Sequence, residues 1–280
     1  METRMHAQQP IARSGLILAV VAALLPLGAG GVAADDDLWP SLQRDVFGSR
    51  PIVENDGIVQ LDAPERAEDA AIVPITVRVS PSAKGQLKSM VLIIDKNPAP
   101  VAATFTFGPA AGEGGGERRM STRVRVDTYS YVHAVVETAD GTLHMAKAFV
   151  KASGGCSAPA PKDADGDLAD IGKTIVKSFD PALPATPLRE AQIMIKHPNT
   201  NGMQMDPMSR GYIPARFIKD VTVMRGNDLV FRAETGISIT ANPNFRFTYA
   251  NTAENALDVT SVDTDDTKFT ARSRKVAVSQ

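Results

Sequence analysis

The residues of this chain best suited to chemistry are Ser153-Gly154-Gly155-Cys156-Ser157, a short run that holds its only cysteine. Two glycines remove side chains just ahead of the thiol and open backbone conformations closed to other residues, so Cys156 can be presented rather than packed. Met145–Val150, before the run, reads as a strand; Ser157-Ala158-Pro159-Ala160-Pro161, after it, cannot continue a ladder. The expectation is an exposed tip. From Lys151 to Cys156 an extended arm reaches at most about 17 Å, enough to place sulfur in a partner's cleft.

A catalytic thiol would need a base in reach, and His133 and His144, both on strand-like segments before the arm, are the candidates. No nucleophile signature surrounds either, and histidines in strand pairs more often pack or face solvent. Lys147 and Lys151 would favour the thiolate modestly, which helps a carrier as much as an enzyme. The bland alternative is a linker cysteine with no role. Near His197, Met203, Met205 and Met208 offer soft thioether ligands of the kind that suit Cu(I), but this spacing specifies little and is better read as a surface loop. Asp163-Ala164-Asp165-Gly166-Asp167 begins like a calcium loop, yet Leu168 stands where glycine is needed and Thr174 where glutamate is. There is no phosphate loop, dinucleotide fingerprint or paired-histidine motif. The sequence therefore assigns no catalytic residue, no cofactor and no metal, and the expectation is that the protein is not an enzyme.

The elements that must position the thiol follow an address segment. Arg4 and Arg13 flank a basic start, Gly15–Leu27 is apolar but too short to span a bilayer, and Gly31-Val32-Ala33-Ala34 is a small-residue cleavage site. Residues 1–34 thus read as a signal peptide, and the expected location is the periplasm, with no membrane insertion after cleavage. Those residues carry two arginines and one glutamate, so losing them moves the net charge from −2 to −3. That near-neutral balance, with no basic patch, argues against nucleic acid as a partner. A lone cysteine in an oxidising compartment points to a working thiol or to intermolecular pairing, which leaves a Cys156-linked dimer open.

In the remaining chain, Leu38, Leu42 and Val46 suggest a short N-terminal helix. Strand-like stretches follow at short intervals: 58–61, 72–79, 87–94, 102–107, 122–126, 131–137 and 143–151, with a hairpin turn at Ala139-Asp140-Gly141. A second series covers 191–197, 221–225, 229–233, 245–249, 257–262 and 268–278. Between them Ser157–Arg189 turns to proline, alanine and charge, with Leu168, Ile171, Ile175 and Phe179 at helical spacing. The expected fold is all-β: two immunoglobulin-like β-sandwich domains, each with its own core, joined by a linker with a short helix. The boundaries read as 35–156 for the first sandwich with its cysteine arm, 157–189 for the linker and 190–280 for the second sandwich.

These segments carry a family pattern. Val46-Phe47-Gly48-Ser49-Arg50-Pro51, Ala67–Ile75, Asn97-Pro98 and Gly154-Gly155-Cys156 resemble SoxY, the sulfur-carrying subunit of the periplasmic sulfur-oxidation system. Ile193–Pro198, Ile213–Ile218 and Asn242-Pro243 before Phe245-Arg246-Phe247 resemble SoxZ. Together they resemble a single-chain SoxYZ fusion, similar to carriers associated with quinoprotein dehydrogenases. The resemblance implies Cys156 as the covalent attachment point for a sulfur intermediate, Gly154 and Gly155 as the carrier arm, and sulfur-oxidation enzymes or a quinoprotein dehydrogenase system as partners. It departs from the family in two ways: the SoxY arm normally ends the chain as Gly-Gly-Cys-Gly-Gly, whereas here Ser157-Ala158-Pro159 replaces the following glycines, and the thiol lies mid-chain, tethered at both ends. The competing reading is an accessory binding module of a periplasmic quinoprotein (PQQ) dehydrogenase system in which the thiol is dispensable.

Overall fold

The computed structural model describes residues 37–159, 170–181, 186–253 and 256–273, and the architecture below belongs to the body that begins at Leu38. The expected signal peptide, the acidic run 163–167 and Leu168 lie outside the described residues. Helix α1 (Trp39–Phe47) leads into β1 (Ile52–Glu54), β2 (Val59–Asp62), β3 (Val73–Val79), β4 (Ser89–Ile94), β5 (Val101–Phe107), β6 (Arg118–Val124), β7 (Ser130–Glu137) and β8 (Leu143–Val150). Beyond the cysteine run come β9 (Thr174–Phe179), β10 (Leu188–Ile195), β11 (Ile218–Arg225), β12 (Asp228–Thr235), β13 (Asn244–Ala250), β14 (Leu257–Asp263) and β15 (Lys268–Arg272).

Alternation dictates most of these strands. Val73, Ile75, Val77 and Val79 of β3 point into the core, while Pro74, Thr76 and Arg78 between them do not. Pro74 is tolerated because β2 pairs only with residues 76–79 of β3, so the residue without an N–H lies beyond the end of that ladder. Phe245, Phe247 and Tyr249 of β13 are buried in the same alternating way.

The strands form two layers. One sheet runs β1-β8-β7-β4-β5-β12-β11-β14-β15 and the other β2-β3-β6-β13-β10-β9. Both cross from the N-terminal to the C-terminal half: Phe105 of β5 stands opposite Ala233 of β12, and Met120 of β6 opposite Phe247 of β13. Phe105 meets Phe231 and Phe245 edge-on, with centroids 5.8 and 6.0 Å apart, an arrangement worth about 0.5–1.5 kcal/mol per pair beyond burial. Gly108 lets the halves close, since a Cβ there would lie 2.4 Å from the Leu229 carbonyl oxygen. The fold is all-β and immunoglobulin-like, as expected. The expectation of a separate core for each half is corrected: side chains of both halves form one continuous cluster.

Two local expectations are also corrected. Ile175 and Phe179 belong to strand β9, not to a linker helix. Thr174, Val176 and Ser178 are its half-buried face and Ile175 points outward, while Gly172 (φ +84°) sits where any Cβ would collide with Phe269. The N-terminal helix does form, but its anchor is Trp39, with Leu42 and Phe47 packed beside the same outer cluster; Leu38 and Val46 are exposed. Among the described residues no helix is long and apolar enough to cross a membrane.

Candidate functional site

The cysteine run leaves β8 along a fixed track. Lys151 pairs with the 65–67 segment, donating to the Glu65 carbonyl (2.8 Å) and accepting from Ala67 N–H (3.1 Å). The backbone then turns. Gly154, at φ +75°, donates to the Asp127 carbonyl (2.7 Å), Gly155 to the Val126 carbonyl (3.2 Å), and Ala158 N–H returns to the Gly154 carbonyl (3.0 Å). A Cβ on Gly155 would lie 2.1 Å from the Ala70 carbonyl oxygen and 2.5 Å from that of Val126. One glycine therefore supplies the left-handed turn and the other a close backbone approach.

Side chains from both halves hold the turn. Asp127 Oδ1 accepts from Cys156 N–H at 3.2 Å. Asn201 Nδ2 donates to the Cys156 carbonyl at 2.7 Å and Gln204 Nε2 to the Ala158 carbonyl at 3.3 Å. Those two are themselves fixed, since Asn201 N–H donates to Gln204 Oε1 (3.2 Å) and Met203 N–H to Asn201 Oδ1 (3.0 Å). Beneath lies Asn97, whose Nδ2 donates to the Arg125 carbonyl (2.7 Å) and to Ser238 Oγ (2.8 Å), and whose Oδ1 accepts from Asp127 N–H (2.9 Å). Arg125 N–H reaches the Ser238 carbonyl at 2.7 Å, so the floor of the site is stitched across the two halves.

Cys156 is consequently buried at 0% exposure. The expected exposed tip is corrected, because both glycines serve to pack the arm down. Burial, then the negative charge of Asp127 and a hydrogen bond to it, push the thiol up to about 12, and Arg125 opposes them only in part. A thiol in this seat is neutral and a poor nucleophile. The lysines expected to favour the thiolate are engaged elsewhere, Lys147 with Glu54 (3.4 Å) and Lys151 with Glu65 (2.6 Å).

Neither candidate base adjoins the sulfur. His133 is stacked on Trp39 (centroids 3.9 Å, 9° between planes) and bonded to Asp95 at 3.1 Å. His144 pairs with Asp56 at 2.5 Å. His197 faces Asp263 at 3.5 Å and accepts from Asn199 N–H, while Met205 and Met208 point to solvent. Among the described residues no group of three or more His, Cys, Asp or Glu side chains is arranged to hold a metal ion. Sequence reading missed Arg125, Asp127, Asn201 and Gln204. The available signal was the departure from apolar alternation in Arg123-Val124-Arg125-Val126-Asp127 at the end of a strand.

Comparison with known families identifies the kind of chain that carries this turn. The model of sulfur oxidation protein SoxY matches residues 43–156, ending on Cys156, and that of sulphur oxidation protein SoxZ matches 184–274. The chain belongs to these families as a SoxYZ-like fusion, which associates it with sulfur-oxidation carrier proteins and their interaction partners. No curated protein matches it. Among solved structures, the sulfur carrier protein SoxY from Chlorobium limicola f thiosulfatophilum is 29% identical, covering 41% of this chain and 90% of that one with a TM-score of 0.33. A superoxide reductase (neelaredoxin) from Ignicoccus hospitalis is 14% identical, covering 36% and 94%, with a TM-score of 0.30.

Proposed function

We propose that this protein is a periplasmic, non-catalytic carrier that holds a sulfur-containing intermediate covalently on Cys156 and presents it to enzymes of sulfur oxidation, with Gly154 and Gly155 as its arm. The observation that carries the reading is the SoxY match ending on a Gly-Gly-Cys turn that holds the only cysteine of the chain. The domain boundaries at 156 and 189–190 belong to the same reading. The seated thiol is buried and neutral, so loading and unloading take place on an arm released from Asn201, Gln204 and Asp127. A few hydrogen bonds worth about 1 kcal/mol each hold it, which sets a release cost compatible with function.

Incubating purified protein with a sulfur-oxidation partner and thiosulfate tests this. Wild type should gain a reducible adduct on Cys156; Cys156→Ser should keep its fold and gain none. Adduct formation on the serine variant would overturn the reading. The complete burial of Cys156 is the observation that favours the alternative, an accessory module of a quinoprotein dehydrogenase in which the thiol is dispensable; full support of that dehydrogenase by Cys156→Ser would establish it. A Cys156-linked dimer would likewise require the arm to leave its seat.

A further inference from the structure

Arg125 is a buried cation with no anion hydrogen-bonded to it; Asp69 acts on it only through its charge at longer range. Its side chain is completely shielded from solvent. Nη1 donates to the Gly155 carbonyl at 3.4 Å, Nη2 to the Asn199 carbonyl at 3.5 Å, and Nε has no partner. Both bonds are long, both acceptors are neutral, and a buried charge held this loosely is costly. Arg118 shows the contrast. It too is buried among carbonyls and leaves Nε free, but it grips the Gly85 carbonyl at 2.6 Å and the Ala83 carbonyl closer still. The loose guanidinium is the one that touches the arm at the carbonyl immediately before the cysteine.

We propose that Arg125 is the counter-ion for an anionic sulfur group attached to Cys156, a thiosulfonate or another S-linked oxyanion, and that it favours seating of the loaded arm over the empty one. This rests on the carrier reading above. A bare thiol here offers the guanidinium no charge to pair with. A sulfonate stays ionised when desolvated, and its oxygens match the fork of an arginine as two charge-assisted hydrogen bonds. Room for it comes from easing the 153–158 turn outward, since that turn is clasped from the second half only through Asn201 and Gln204 among the described side chains.

Two chemically loaded forms of the full protein test the idea. Tetrathionate converts Cys156 to the anionic adduct: the thiol loses its proton to buffer, and the thiolate attacks a central sulfur, forming a new S–S bond as the central S–S bond of tetrathionate breaks and thiosulfate leaves. Methyl methanethiosulfonate gives the neutral methyl disulfide and expels methanesulfinate. Release of each adduct by dithiothreitol is then followed by intact mass. Arg125→Gln should speed release of the anionic adduct by about tenfold, the low end for hydrogen bonds to a buried ion, and change the neutral one by less than about twofold; Arg125→Lys, which keeps the charge but loses the fork, should fall between wild type and Arg125→Gln for the anionic adduct and leave the neutral one unchanged. Equal acceleration of both adducts, or of neither, would overturn the proposal, as would a Cys156 that accepts neither reagent. If Arg125→Gln does not fold, the two loaded forms of wild type decide: the anionic form should melt higher, and an equal or lower Tm refutes the idea. Because loading is chemical, this result is independent of the carrier reading, whose failure would appear separately as a bare thiol on protein from its native source.

Discussion

Two buried polar networks lie close together in this molecule, and they are finished to different degrees. In the second half Asp263 is fully enclosed and fully engaged: Arg216 reaches it at 2.9 Å, Thr267 N–H at 2.8 Å and Asp265 N–H at 3.0 Å, with His197 facing it at 3.5 Å. Asn199 joins this network to the cysteine seat by donating to His197 and by accepting, through its carbonyl, from Arg125. In the seat itself the charges are left open: Arg125 donates only to two distant carbonyls and leaves Nε without a hydrogen bond, and Cys156 is driven neutral by burial and by Asp127 against the pull of Arg125. A saturated buried carboxylate helps to fix a fold, whereas an open network at a glycine turn leaves a segment that can be released.

The sharpest way to break the contrast is at the arm. Gly155→Ala places a Cβ against two backbone carbonyls that cannot retreat, so the thiol should stay unseated. In wild type the seated thiol, at about 12 against an ordinary 9.0, should be alkylated by iodoacetamide at pH 7 at least about a hundredfold more slowly than in this variant. Similar rates in the two proteins would mean that the arm is not seated in solution.

Opening the closed network should act on stability instead. Asp263→Asn removes the buried acceptor shared by Arg216 and His197 and leaves Arg216 only the exposed Asp265 at 2.8 Å; it should cost about 2–3 kcal/mol in denaturant unfolding, less than a fully buried pair because Arg216 is one-third exposed. Thiol reactivity should change far less than in Gly155→Ala.

The two networks should also respond to opposite ends of the pH scale. His197 is lowered, first by burial, so the native state resists its protonation and stability is lost as pH falls below about 6.5. Burial pushes Asp263 up, but the Thr267 N–H, Arg216 and His197 together bring it below the ordinary carboxylate value, so it adds a second loss below about 3.8. The raised Cys156 works in reverse. The seated arm is stable below the ordinary thiol value near 9.0 and loses stability as pH climbs toward about 12. Unfolding midpoints across pH should show the acid arm diminished in His197→Asn and the alkaline arm diminished in Cys156→Ser.

The smallest effect is expected at the clasp. Asn201→Ala removes one hydrogen bond to the arm and should free it by about 1 kcal/mol, a roughly fivefold faster alkylation with no change in acid stability.

Which parts of this were legible beforehand follows from how local the forces are. Alternation in β3 and β13 depends on neighbouring residues and reads directly from the chain. Strand β9 was misread because its inward positions, Thr174, Val176 and Ser178, are only weakly apolar while Leu168, Ile171, Ile175 and Phe179 fall at helical spacing; pairing with β10 decides otherwise. The glycine turn was legible as a turn but not as a packed one, because Arg125, Asp127, Asn201 and Gln204 reach it from both halves. The shared core had the same obstacle, since a pairing such as that of β5 with β12 leaves no mark on either strand alone.

The central claim is that Cys156 carries sulfur, and the most direct measurement is the intact mass of the protein taken without reductant from the periplasm of cells actively oxidising sulfur, with the modified peptide mapped. The account predicts a reducible sulfur-containing adduct confined to Cys156, whose mass names the cargo. A bare thiol under those conditions, or an adduct elsewhere, would contradict it.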